Sequence, residues 1–177
     1  CRKPKDLHNF KLIARTLGDV LNKNPDLRPP ILDGFKELLG NLESDEEKEI
    51  LAKYSENYLT RFFNIYTSKP NTSYERETRT LTFEVTQLYL KITPKPTLDK
   101  LFTNATQQMS SKVPGSFVYD AIFDIVESLA LFQSCEKLTE LYRSYIVATL
   151  IKDKKVGSSV DLKQDNNIRR RLKKAYK

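Results

Sequence analysis

The side chains best able to carry chemistry in this sequence are one histidine, two cysteines, several carboxylate clusters and a run of cations near the C-terminus. His8 has no cysteine or carboxylate at metal-ligand spacing and lies on an opening helical turn, so it reads as a solvated histidine. The five glycines are scattered and build no phosphate-cradling loop. Asp45, Glu46 and Glu47 suit the first turn of a helix, where negative charge is favourable. Asp120, Asp124 and Glu127 recur at helical spacing and read as a solvated face rather than an acid/base pair. Cys1 and Cys135 make no disulfide framework. Cys135 is expected at or within a helix as a small, reduced, structural thiol, which fits a cytosolic or nuclear compartment. The sequons at Asn71 and Asn104 read as chance matches in such a chain. These residues predict no enzyme, no cofactor, no metal and no small-molecule substrate.

The cations are a stronger signal. Residues 152–177 hold ten Lys/Arg and three Asp. Removing these from the chain's 30 basic and 23 acidic residues leaves 20 of each, so the whole surplus of +7 lies in this segment. Lys152, Lys154 and Lys155 come first; a 13-residue spacer containing Lys163 follows, and then Arg169, Arg170, Arg171, Leu172, Lys173 and Lys174. Concentrated positive charge attracts phosphate backbones with a salt-dependent, sequence-independent affinity. The same spacing reads as a bipartite nuclear-localisation signal. A solvated helix start and loop is the third reading. Aromatic residues are not interleaved with these charges, so base stacking is not indicated.

Behind these residues stands an amphipathic helical body. Apolar periodicity and caps predict seven helices. The first runs from Asp6 to Lys23, with Leu7, Phe10, Ile13, Ala14, Leu17 and Leu21 on one face, and Asn24-Pro25-Asp26 ends it. Pro29 and Pro30 suit the opening turn of the second, whose stripe is Ile31, Phe35, Leu38, Leu39 and Leu42. Ser44 with Glu47 forms a capping box for the third, which carries Ile50, Leu51, Tyr54, Tyr58, Phe62 and Ile65 and is expected to break near Asn57. After a polar loop, Ser68–Ser73, the fourth spans Tyr74–Lys91 on Leu81, Val85, Leu88, Tyr89 and Ile92. Thr80–Thr86 has strand propensity, but the 3-4 spacing predicts helix. Thr97 is expected to cap a fifth helix reaching Met109, with Leu98, Leu101, Phe102 and Ala105 inward. The sixth, Phe117–Leu131, follows the Pro114-Gly115-Ser116 turn; the seventh covers Ser134–Lys152.

With 39% hydrophobic and 30% charged residues, the composition is that of a globular domain. No apolar run approaches the ~20 residues of a membrane span. The helix pairs recur every ~40–50 residues, the period of HEAT-type hairpins. The predicted fold class is therefore all-α, a HEAT/armadillo-like α-solenoid segment of seven to eight helices, with a closed helical bundle as the rival. The expected organisation is a helical-repeat body over 1–151, a polar mobile loop over 152–167 and the start of a further basic helix over 168–177. The non-Met first residue and the unfinished last helix lead to the expectation of a fragment with neighbouring repeats.

Several segments also resemble a known family. Ala14-Arg15-Thr16-Leu17-Gly18 through Asn24-Pro25-Asp26-Leu27-Arg28-Pro29-Pro30 is similar to part of the ribosomal RNA-processing protein 12 family. Tyr58-Leu59, Phe63-Asn64-Ile65-Tyr66, Tyr89-Leu90-Lys91-Ile92-Thr93, Asp124 to Ala130 and Lys173-Lys174-Ala175-Tyr176 follow in the same order. The weight lies in this collinearity, from about residue 10 to the end. The resemblance implies a long nucleolar helical-repeat scaffold that assists ribosomal RNA maturation, small-subunit precursor assembly and export of preribosomal particles. Its implied partners are RNA, assembly factors and the Ran GTPase, in the nucleolus and nucleus, and it brings no catalytic residues. The alternative is a protein-only adaptor, such as a transport-receptor-like solenoid, whose basic tail is a localisation signal.

Overall fold

The computed structural model describes residues 4–113 and 115–143. Helix α1 covers Pro4–Lys23, a 3-10 turn Pro25–Leu27, α2 Arg28–Gly40, α3 Asp45–Ala52, α4 Ser55–Thr67, α5 Ser73–Leu90, α6 Lys95–Ser110, α7 Phe117–Ala130 and α8 Cys135–Leu141. No strand occurs among the described residues. The chain divides into two compact units, Cys1–Leu98 and Asp99–Lys177.

Short-range signals place most helix starts. Pro25 opens the 3-10 turn, and Pro29 and Pro30 fall at the beginning of α2, where a missing N–H leaves nothing unpaired. Ser44 caps α3: the Glu47 amide donates to Ser44 Oγ at 3.2 Å, and Glu47 Oε2 accepts from the Ser44 amide at 3.5 Å. A second capping box, Thr72 with Glu75, starts α5. The polar loop expected through Ser73 therefore ends at Thr72. Helix α6 begins at Lys95, ahead of the predicted Thr97 cap, because Pro96 fits a first turn and the Leu98 amide already donates to the Pro94 carbonyl.

The third predicted helix is two helices, and the break falls at Lys53–Tyr54 rather than near Asn57. Tertiary bonding explains the position. The Leu51 carbonyl accepts from the Tyr54 amide at 2.9 Å and from the Tyr89 hydroxyl of α5 at 2.7 Å. Ser55 Oγ donates to the Ala52 carbonyl at 2.7 Å, so the chain ends of α3 find partners without continuing the helix.

In the first unit the helices form two layers. Helices α4 and α5 pair as a hairpin, and α2 packs beside α5. Helix α1 meets α4 through a Tyr58 hydroxyl bond to the Ala14 carbonyl and an Arg61 bond to the Gly18 carbonyl. Thus α1 lies with α4 and α2 with α5, the arrangement of stacked helical hairpins. Between the layers sits an aromatic cluster. Tyr58 meets Phe35 edge-on at 4.9 Å and Tyr89 at 5.6 Å, while Phe62 meets Phe35 at 5.7 Å. Such offset and edge-on pairs stabilise beyond the area they bury.

Helix α5 buries Val85 and Tyr89 of its predicted stripe, but the rest of its buried face is shifted from the predicted leucines towards a row of threonines. Thr78, Thr82, Val85, Thr86, Tyr89 and Leu90 are buried, whereas Leu81, Leu88 and Ile92 are half-buried. Each threonine hydroxyl donates four residues back, from Thr78 to Tyr74, Thr82 to Thr78 and Thr86 to Thr82, at 2.7–2.9 Å. Polar groups satisfied within the helix can be buried without a partner from outside. In α1, Ala14 and Leu21 are buried but Ile13 is exposed.

In the second unit Leu101, Phe102, Ala105 and Met109 of α6 are buried, as are seven residues of α7 including Ile122, Phe123 and Leu129. Gly115, at φ +88°, makes the turn before Ser116, whose hydroxyl accepts from the Tyr119 amide at 3.2 Å and caps α7. Lys137 of α8 pairs with Asp99 of α6 at 3.2 Å.

Candidate partner-binding site

The predicted cationic residues, Lys152, Lys154, Lys155, Lys163, Arg169, Arg170, Arg171, Lys173 and Lys174, all lie outside the described residues, together with the loop 152–167 and the segment 168–177. Several structured cations of the first unit are engaged internally. Arg79 stacks on the Tyr66 ring at 3.8 Å and donates from Nε to the Tyr66 carbonyl at 2.9 Å. Arg28 Nε donates to the Leu21 carbonyl at 3.3 Å, and Lys36 pairs with Glu84 at 2.7 Å between α2 and α5. That pair holds the Lys36 ammonium above its ordinary pKa, chiefly through its hydrogen bond to Glu84. These side chains fasten helices to one another.

The other candidates take structural positions. His8 is exposed on α1. Asp45, Glu46 and Glu47 form the first turn of α3. Asp120 is exposed, and Asp124 and Glu127 are half-buried on α7. Cys135 begins α8 as expected but is exposed rather than packed. Among the described residues no three His, Cys, Asp or Glu side chains converge as metal ligands, and no helix is long and apolar enough to cross a membrane. Tyr58 and Tyr89, whose pKa values are raised, belong to packing. Burial pushes Tyr58 up to about 12 and Tyr89 up as well.

What does stand open is a groove of about 340 Å³ in the first unit, lined by Phe10 of α1, by Gly34, Glu37, Leu38 and Asn41 along α2 and its end, and by Leu42 and Glu47. The residues from Gly34 to Asn41 follow one another at intervals of three and four, so they occupy a single helical face. The Glu47 carboxylate on the groove's wall is held by the Glu43 and Ser44 amides at 3.2 and 3.5 Å. Helical periodicity assigns Phe10, Leu38 and Leu42 to packing stripes, yet all three are half-buried. Gly34, set among apolar residues at helical spacing, is the signal available in the sequence for an open face.

The stacked hairpins of the first unit agree with what is found among known proteins. The model of the family described as ribosomal RNA-processing protein 12, HEAT repeats, matches residues 1–69. An RRP12-like protein of Drosophila melanogaster is 38% identical over 176 residues, 99% of this chain. The chain belongs to the ribosomal RNA-processing protein 12 family. RRP12-like proteins of Gallus gallus and Homo sapiens are 26% and 24% identical over 146 and 144 residues, 81% and 80% of the chain. The chain spans 12% of the length of the Drosophila protein and 11% of each of the other two, so family membership places it as a helical-repeat segment. Its all-α HEAT-type architecture is the one expected from the 40–50-residue period.

Proposed function

We propose that this chain is a non-catalytic scaffold segment acting in ribosome biogenesis, within a longer helical-repeat protein of the nucleolus and nucleus. The observation that carries the reading is similarity over nearly the whole chain to an RRP12-like protein, with a family description that names ribosomal RNA processing. On this reading the repeats hold assembly-factor proteins and preribosomal particles during subunit assembly and export, and the Ran GTPase is a further partner. Ribosomal RNA is engaged by the cations at Lys152, Lys154, Lys155, Lys163, Arg169, Arg170, Arg171, Lys173 and Lys174. Their concentration in an otherwise neutral chain supports it, since phosphate contacts supply most sequence-independent affinity.

The test is RNA binding as a function of salt, comparing the chain with a form ending at Leu150 and with a form in which Arg169, Arg170, Arg171, Lys173 and Lys174 are glutamine. The expected result is a steep salt dependence that both changes flatten, by about 0.7–0.9 in logarithmic slope for each phosphate no longer neutralised. A second reading, a protein-only adaptor whose tail is a localisation signal, rests on the bipartite spacing of the same cations. It is supported instead if no form binds RNA while the tail alone directs a reporter to the nucleus.

A further inference from the structure

Beyond the scaffold reading, the geometry points to the α2–α3 groove as a docking site for a lysine- or arginine-rich segment of a partner protein, anchored by one bulky apolar side chain. The groove has an apolar lining in Phe10, Leu38 and Leu42, and Gly34 borders it without a side chain. A Cβ added at Gly34 would meet nothing within 4 Å. The space suits a large side chain presented by a helix or a short extended segment, the usual way an amphipathic peptide seats in a helical groove.

Charge decides what kind of segment fits. Two of the groove's lining residues are carboxylates, Glu37 and Glu47, and none is a cation. The surrounding residues 33–49 carry seven carboxylates and two lysines, a net charge of −5, against the exposed Lys11 beside Phe10 on α1. Both lysines are already engaged, Lys36 with Glu84 and Lys48 with Asp45. Asp33 and Glu37 are exposed along α2, and Glu43, Glu46 and Glu49 are exposed around the start of α3. Carboxylates around an apolar, low-dielectric wall attract cations and repel anions, so an RNA backbone is disfavoured where a basic peptide is favoured. The anchor supplies affinity and the flanking cations supply selectivity and association rate.

The experiment uses the whole 177-residue chain and, as probe, a synthetic amphipathic peptide of leucine, lysine and arginine. Binding is followed by fluorescence anisotropy at low and high salt, alongside a peptide with its leucines replaced by serine. The expected result is saturable binding to the chain, weakened by salt and by the serine replacement. Gly34→Phe fills the groove from an open position and weakens binding about thirtyfold, the factor for removing a hot-spot side chain, while the melting temperature does not fall. Glu37→Lys weakens binding and reduces its salt dependence. The proposal is overturned if Gly34→Phe binds as tightly as the parent, or if the serine peptide does. It is also overturned if Gly34→Phe converts a dimer to a monomer, which assigns the groove to a second copy. A lowered melting temperature for Gly34→Phe in the longer protein overturns it too, because a neighbouring repeat then fills the groove.

Discussion

Gly18 and Gly34 are both interior glycines of amphipathic helices, and the fold uses them in opposite ways. A Cβ at Gly18 would lie 2.8 Å from Tyr58 Cε1 and 3.0 Å from both the Tyr58 hydroxyl and Arg61 Nη1. There the missing side chain lets α1 settle onto α4, and Tyr58 and Arg61 reach carbonyls of α1. At Gly34 a Cβ would meet nothing within 4 Å, and the glycine borders an open groove. One glycine closes an interface and the other lies on an open face. What separates them is the neighbour: a tyrosine held against three other helices in one case, and a carboxylate-lined gap in the other.

Removing that neighbour is the strongest way to break the contrast. Tyr58→Ala takes away the ring that touches Phe35, Phe62 and Tyr89 and bonds to α1, and should cost about 3–5 kcal/mol in urea unfolding. The same ring sets an alkaline limit. Its folded pKa is raised from 10.0 to about 12, because burial favours the neutral phenol, so its contribution is intact below pH 10 and lost as pH rises through about 12. Tyr89 shifts in the same direction, chiefly through burial. Melting temperature should therefore fall with pH above 10, and Tyr58→Phe should shallow that fall. A curve unchanged by Tyr58→Phe would place the alkaline transition elsewhere.

Smaller changes sharpen the comparison. Gly18→Ala forces a methyl against the anchored Tyr58 ring and should destabilise by about 1–3 kcal/mol, despite the better helix propensity of alanine. Tyr89→Phe removes one of the partners of the Leu51 carbonyl, at a cost of about 1 kcal/mol. At the open position the sign reverses. Gly34→Ala meets no neighbour and should stabilise by about 0.5–1 kcal/mol, through helix propensity alone. Equal effects at the two glycines, read from denaturant midpoints, would mean α1 and α4 are not in close contact in solution.

Much of the helical framework was legible because its signals are local. Pro29 and Pro30, Ser44 with Glu47, and Ser116 announce helix starts within a turn of themselves. Thr72 with Glu75 carries the same information, but a polar stretch on either side of it masks the cap. The stripe of α6 was also readable, with Leu98, Leu101, Phe102 and Ala105 all buried. The face of α5 was legible only in Val85 and Tyr89, because periodicity weights leucine over threonine and takes no account of hydroxyls satisfied within the helix. The α3–α4 break was hidden for a further reason: one of its partners, Tyr89, is 38 residues from the carbonyl it caps.

By itself the sequence determined the class of the protein, an all-helical repeat segment with a neutral body and a basic end, since periodicity, caps and net charge are sums over near neighbours. The tertiary structure alone decided which glycine is sealed and which lies open, where the third helix breaks, and which apolar residues of α1 and α2 line a groove rather than a core. Those outcomes depend on which helix lies opposite, and a helical period carries the direction of a side chain but not the identity of what it meets.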